Sequence, residues 1–171
     1  MPEGHTIGMI LPVPMDLPFA EIALRLVAAT ILSGIIGIER EIRQKPAGVR
    51  TNALIGLGSA VMTLAGLSIY ALYPQGSDAA RVASIVVQGV GFLGAGAIIQ
   101  SSGAVHGLTT AATMWVVAGI GIACGFGLYP LAGITALIVL VLLVIFGPLD
   151  ARIMGDEAKQ AARGIGKFIK K

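Results

Sequence analysis

Cysteine is almost missing from this chain. Cys124 is the only one in 171 residues, which excludes an internal disulfide and any cysteine-built metal framework. Histidine is nearly as scarce. His5 and His106 lie far apart in stretches that read as loops, and neither has a Ser or Cys beside it in a nucleophile motif. Charge is thin as well, at 12% of residues against about 25% in a soluble domain. Between residues 53 and 146 the one carboxylate is Asp78. A dry Mg²⁺ cage wants several oxygen ligands, usually including carboxylates, so that region cannot supply one. Only Glu21 and Glu39 remain to help. Aromatics are 5% of the chain, and no basic stripe with interleaved aromatics is present, so nucleic acid is excluded as a partner. Residues 1–18 hold four prolines and no Lys or Arg, which argues against a cleaved secretory signal.

What the chain has in abundance is apolar length. Hydrophobic residues make up 56% of it, and the mean hydropathy is +0.88. After an irregular lead-in over 1–18, five stretches approach the roughly 20 residues a bilayer requires: about 19–38, 51–72, 82–100, 108–126 and 131–147. The expectation is an all-α, polytopic membrane protein, a bundle of five transmembrane helices over 19–147. A basic tail over 148–171 follows, reading either as an amphipathic helix on anionic lipid or as a solvated end. The densest basic loop, with Arg40, Arg43, Lys45 and Arg50, lies between the first two spans, and the tail is basic again. The positive-inside rule places both in the cytoplasm and the N-terminus outside. Tyr73-Pro74 and Tyr129-Pro130 are read as closing the second and fourth helices, a hint of a repeated helix pair.

The centre of the chain, VVQGVGFLGAGAIIQSSGAVHGLTTAATMW, is rich in glycine. Gly89, Gly91, Gly94 and Gly96 are costly in a soluble helix, but in a bilayer small residues let backbones approach. Gly89 and Gly96 share one face, and Ser84 and Gly91 another. With Gly107, these glycines are the predicted helix-packing positions. Gly89 to Gly94 also spells G-x-G-x-x-G, but in mid-helix with no acid downstream, so it is not a dinucleotide site.

Ionisable and amide residues inside membrane segments are candidates for function. Glu21 and Arg25 form an i,i+4 pair near one end of the first span, where Arg25 is able to snorkel. Asp78 and Arg81 are spaced to pair at the start of the third helix. Thr109 and Thr110 read as caps after Gly107. Asn52 and Gln88 each need a partner in hydrocarbon, either on another helix or along a polar path. Glu21, Arg25, Glu39, Asn52, Asp78, Arg81, Gln88, Thr109 and Thr110 are thus the candidates for a ligand or ion path. No catalytic residue, metal site or cofactor is expected.

Three ordered motifs carry a resemblance: GIIGIEREIRQKPAGVRTNALIGLG, DAARV leading into GFLGAGAII, and GAVHGLTTAATMWVVAGIGIACGFG. Across about 24–146 the chain resembles the MgtC/SapB family of bacterial inner-membrane proteins. Arg40, Arg50, Thr51, Phe92, Leu108, Trp115 and Cys124 lie in or beside the matching motifs. The resemblance implies a five-helix, multi-pass inner-membrane domain. Members resemble factors for growth in low magnesium and survival in macrophages, and some bind other membrane proteins, including the proton-translocating ATP synthase. Many virulence-type members carry an ACT-like soluble domain, which about twenty tail residues do not provide, so the resemblance is to the membrane domain alone. The expected function is non-enzymatic: a regulator docking on a second copy or another membrane protein in the lipid bilayer. The alternative is a small transporter or channel for Mg²⁺, another cation or a small solute.

Overall fold

The computed structural model describes residues 17–73, 79–101 and 104–147. They form five helices: α1 (Phe19–Ile42), α2 (Val49–Leu72), α3 (Ala79–Ala97), α4 (Leu108–Gly125) and α5 (Tyr129–Gly147). A two-stranded hairpin, β1 (Ile99–Ser101) and β2 (Ala104–His106), separates α3 from α4. The all-α membrane bundle expected from hydropathy is the observed one. Helices α1, α2, α4 and α5 are long and apolar enough to cross a membrane, while the apolar stretch of α3, Arg81–Ala97, is shorter.

The third helix stops earlier than the apolar run suggests. Ile98 N–H turns back to the Ala95 carbonyl, and the β-branched pair Ile98-Ile99 leads into a strand rather than a last helical turn. Ile99 pairs with His106, Gln100 with Val105 and Ser101 with Ala104. The return is possible because Gly107 adopts φ 90°, and a Cβ there would run into the Ala97 carbonyl. The start of α4 follows directly. Its cap is therefore Gly107, with no side-chain hydrogen bond, and the expected Thr109–Thr110 cap is not formed. Thr113 Oγ1 instead donates back to the Thr109 carbonyl within the helix.

Close approaches fix the directions of the helices. Gly56 lies against Ser33 and Ala29, and Gly37 against Gly48 and Val49, so α1 and α2 are antiparallel. Gly121 lies against Gly56 and Ser59, and Gly125 against Ala60 and Thr63, so α2 and α4 are parallel. Gly66 meets Val82 at the start of α3 and Gly94 meets Ala111 near the start of α4, which together set α3 antiparallel to α2. The core is built mostly from α1, α2, α4 and α5: Ala29, Ile36, Ala60, Val117, Ala118, Ile120, Cys124 and Ala132 are buried. Most are small, which brings the helix axes close and makes packing, not water expulsion, the source of cohesion in lipid. Large apolar side chains such as Ile31, Leu54, Trp115, Leu137 and Ile145 face outward, as a bilayer solvent permits.

The predicted packing seam sits elsewhere than expected. A Cβ at Gly89, Gly91 or Gly96 would meet nothing within 4 Å, and at Gly94 it would make only ordinary contact with Ala111. The tight glycines are Gly37, Gly56, Gly66, Gly121 and Gly125 in helices, and Gly48 and Gly107 at helix starts, the last of these a predicted position. Within the described chain, the helix glycines on which other segments press most tightly lie in α1, α2 and α4 rather than in α3. Nothing in a local glycine spacing says whether the approaching helix belongs to the same chain.

Candidate functional site

At one end of the bundle, Arg25 ties three helices together. Its Nε donates to Glu21 Oε1 at 2.8 Å, and its Nη1 donates to the Gly125 carbonyl at 2.9 Å. Tyr129 Oη donates to the same Glu21 oxygen at 2.9 Å. Arg25 therefore lies across the C-terminal turn of α4, where free carbonyls and the helix dipole favour a cation. Tyr129 opens α5 rather than closing α4, and its hydroxyl serves the same clamp. The side chain was missed in the sequence because its partner lies 108 positions away.

Five helical turns along the same face of α1, a second arginine repeats the device. Arg43 Nη2 donates to the Val144 carbonyl at 3.3 Å in the last turn of α5, and its Nε bonds Glu39 Oε1 at 2.7 Å. Arg40 holds the other Glu39 oxygen at 2.7 Å. Glu39 and Arg40 are buried, 9% and 3% exposed, so the pair survives only because each charge is answered. Glu39, offered above as an ion-path residue, has both oxygens engaged by arginine.

The loop between α1 and α2 is held from both sides. Glu41 Oε2 accepts the Val49 N–H at 2.9 Å, capping α2, while Asn52 Nδ2 donates to the carbonyls of Ala47 and Gly48. Gln44 and Ala47 sit at φ 54° and 60°, a conformation that side chains resist unless the surroundings impose it. Asn52 holds the Ala47 carbonyl, and the Gln44 N–H turns back to the Glu41 carbonyl. The structure thus gives Asn52 a loop-holding role that its place in a membrane helix did not suggest. Its Oδ1, and Ser33 Oγ opposite Gly56, are buried acceptors without a partner among the described residues.

Gln88 faces the other way. On α3 the exposed positions Ser84, Gln88, Gly91, Phe92 and Ala95 recur at helical spacing and form one outer stripe. Phe92 is 81% exposed. The Gln88 amide has no partner among the described residues. Between this helix and α2 runs an apolar groove of about 810 Å³, lined by Thr51, Ile55, Gly58, Met62, Val86 and Gly89 among others. A polar pocket with Glu41, Lys45, Arg50 and Thr51 lies at the loop end.

The remaining candidates separate. Arg50, Thr51, Leu108 and Thr109 are exposed, whereas Thr110 and Cys124 are buried in α4. Arg81 is exposed at the start of α3; Asp78, and with it the proposed pair, lies outside the described residues. Among the described residues no group of three or more His, Cys, Asp or Glu side chains is placed to hold a metal ion.

Comparison with known proteins finds relatives along most of the chain. The model of the MgtC family matches residues 26–152. The chain is 42% identical over 142 residues to the "Putative magnesium transporter YhiD" of Escherichia coli K12, covering 81% of this chain and 66% of that one. It is 39% identical over 148 residues to "Protein MgtC" of Salmonella choleraesuis, covering 86% of this chain and 61% of the relative. "Protein MgtC" of Brucella abortus is 39% identical over 132 residues, 77% of this chain and 54% of the relative. The chain thus spans less than two thirds of the length of these relatives. No solved structure matches.

Proposed function

Because the chain belongs to the MgtC family, we propose that this multi-pass inner-membrane protein serves magnesium homeostasis by contact with a membrane partner along the outer stripe of α3. The names of its relatives support the link to magnesium. One observation carries the contact reading. Gln88 is an amide on the outer surface of an apolar helix, flanked by Ser84 and Gly91. In hydrocarbon an amide seeks a partner across a helix interface, and small residues beside it let that helix come close. The partner is a second copy, which brings the same stripe, or a different membrane protein such as ATP synthase.

A transporter reading has its own observation: the orphan acceptors Ser33 Oγ and Asn52 Oδ1 lie inside the bundle, and intramembrane polar groups mark ion pathways. Against it, Glu21, Glu39 and Glu41 are all engaged in ion pairs or a helix cap. Pull-down, cross-linking and Mg²⁺ flux into liposomes, measured on wild type and Gln88→Leu, separate the two. Contact predicts weaker capture by Gln88→Leu and no flux in either protein. Robust wild-type flux that falls in Ser33→Ala or Asn52→Leu would replace the contact reading with transport.

Orientation belongs to the same proposal. Arg40, Arg43, Lys45 and Arg50 gather at one end of the bundle, against Arg25 and Arg81 at the other, which favours the former end in the cytoplasm. In intact cells Leu128→Cys should react with an impermeant thiol reagent and Lys45→Cys should not. The opposite pattern inverts the topology.

A further inference from the structure

The apolar groove and the basic pocket are two parts of one surface, since Thr51 lines both. The groove walls are α2 from Thr51 to Ile69 and α3 from Val82 to Leu93. Gly66 touches Val82, so in the antiparallel pair the two-walled part covers about eleven residues of each helix. That is about 16 Å, close to the depth of one leaflet. The lining is almost wholly apolar, and it opens to the side where lipid must lie. At its mouth stand Lys45 and Arg50, at the level where α2 leaves the membrane. Neither has an ion pair among the described residues, in contrast to Arg25, Arg40 and Arg43. The one carboxylate there, Glu41, is turned onto the Val49 N–H, and with Lys45 and Arg50 against it the pocket keeps a net positive charge. Its loop is held by Asn52 in a conformation that Gln44 and Ala47 would not choose.

We propose that this combined surface binds one anionic phospholipid, with an acyl chain along Gly58, Met62, Val86 and Gly89 and the phosphate between Lys45 and Arg50. A hydrocarbon trench one leaflet deep that ends on two unpaired cations matches that chemistry in length, polarity and charge. A transmembrane helix would fill the trench but leave the cations without a partner. The site is separate from the outer stripe of α3, because Ser84, Gly91 and Phe92 do not line it. Its test therefore does not depend on the contact proposal.

Native mass spectrometry of the purified full chain, delipidated and then titrated with phosphatidylglycerol or phosphatidylcholine, tests the site. Wild type should hold one phosphatidylglycerol in preference to phosphatidylcholine. Each of Lys45→Gln and Arg50→Gln should cut that preference about fivefold, the worth of one basic residue near a lipid surface. Gly58→Leu and Gly89→Leu should reduce binding of both lipids. Both glycines have open space beside them, so the fold tolerates the larger side chain, and unchanged circular dichroism would show it. Equal affinity for the two lipids, or a preference untouched by Lys45→Gln with Arg50→Gln, overturns the proposal. So does a dimer that excludes lipid and is lost in Gly58→Leu, which would give the groove to a second copy.

Discussion

Helices α3 and α4 are consecutive in the chain, similar in length and both rich in glycine. In α4, Gly121 faces the Gly56 carbonyl and Ser59, and Gly125 faces Thr63 and the Ala60 carbonyl. In α3, Gly89, Gly91 and Gly96 face open space. Two of the three glycines of α4 make contacts inside the bundle, whereas three of the four in α3 face outward, Gly94 alone lying against Ala111. A glycine in a membrane helix marks a place where something comes near; whether that neighbour is in the same chain depends on topology. The arrangement packs α4 against α1, α2 and α3, and leaves α3 a peripheral helix with a groove on one side and a free stripe on another.

The largest effect expected from this contrast is at Gly121. Alanine there drives a methyl group into the Gly56 backbone, which cannot move without separating α2 from α4. The cost should be at least about 3 kcal/mol, the upper part of the range for overpacking. It would be read as a fall in the denaturant midpoint of the detergent-solubilised protein. If Gly121→Ala is as stable as wild type, α2 and α4 are not in the observed register.

Next in size comes the clamp at the far end of α1. Arg25→Leu removes the bonds to Glu21 and to the Gly125 carbonyl together, and hydrogen bonds made by charged groups contribute about 1.5–3 kcal/mol each. A loss of about 2 kcal/mol is expected, as the side chain is partly exposed and water or headgroups replace some of it. Tyr129→Phe, which deletes only one bond to the same carboxylate, should cost about 1 kcal/mol. A double-mutant cycle between Arg25 and Tyr129 should give coupling, since both act on Glu21 Oε1. Strict additivity would mean that they do not share it.

Much of this was legible in the chain before its fold was known. The five apolar stretches, the Glu21–Arg25 pair and the membrane class all follow from local pattern, because length and hydropathy are properties of a segment by itself. What local pattern cannot hold is the partner across the bundle. Arg43 meeting Val144, Tyr129 meeting Glu21 and Gly121 meeting Gly56 each join residues more than sixty positions apart. Asn52 shows the same limit from the other side. Its membrane setting pointed to a path or an interhelical bond, yet its amide serves backbone carbonyls only four and five residues away. Glu41 is hard to read as the cap of α2 because it lies eight positions before Val49, on the far side of the loop. The end of α3 was misplaced because Ile98 and Ile99 are apolar, and hydropathy alone does not distinguish a last helical turn from a buried or interfacial strand.

The smallest effect on folding, and the most telling for the comparison, is expected at Gly91. Its Cβ would meet nothing, so Gly91→Ala should leave the monomer unchanged or favour the helix by up to about 1 kcal/mol. Gly91→Leu should likewise fold, because open space receives the side chain. If the outer stripe of α3 is a contact surface, the same leucine must stand between two helices that would otherwise touch. Assembly or partner capture should then fall while the unfolding midpoint does not. Gln88→Leu adds a chemical version of that test: it keeps the helix apolar, removes the amide, and should weaken association by about 1 kcal/mol, the scale of a hydrogen bond between membrane helices. Fluorescence energy transfer between labelled copies in liposomes, diluted stepwise with lipid, reads both variants on one scale. Loss in Gly91→Leu with retention in Gln88→Leu would assign the stripe to packing alone. Retention in both would leave the outer stripe of α3 without a helix partner and remove the basis for the contact reading.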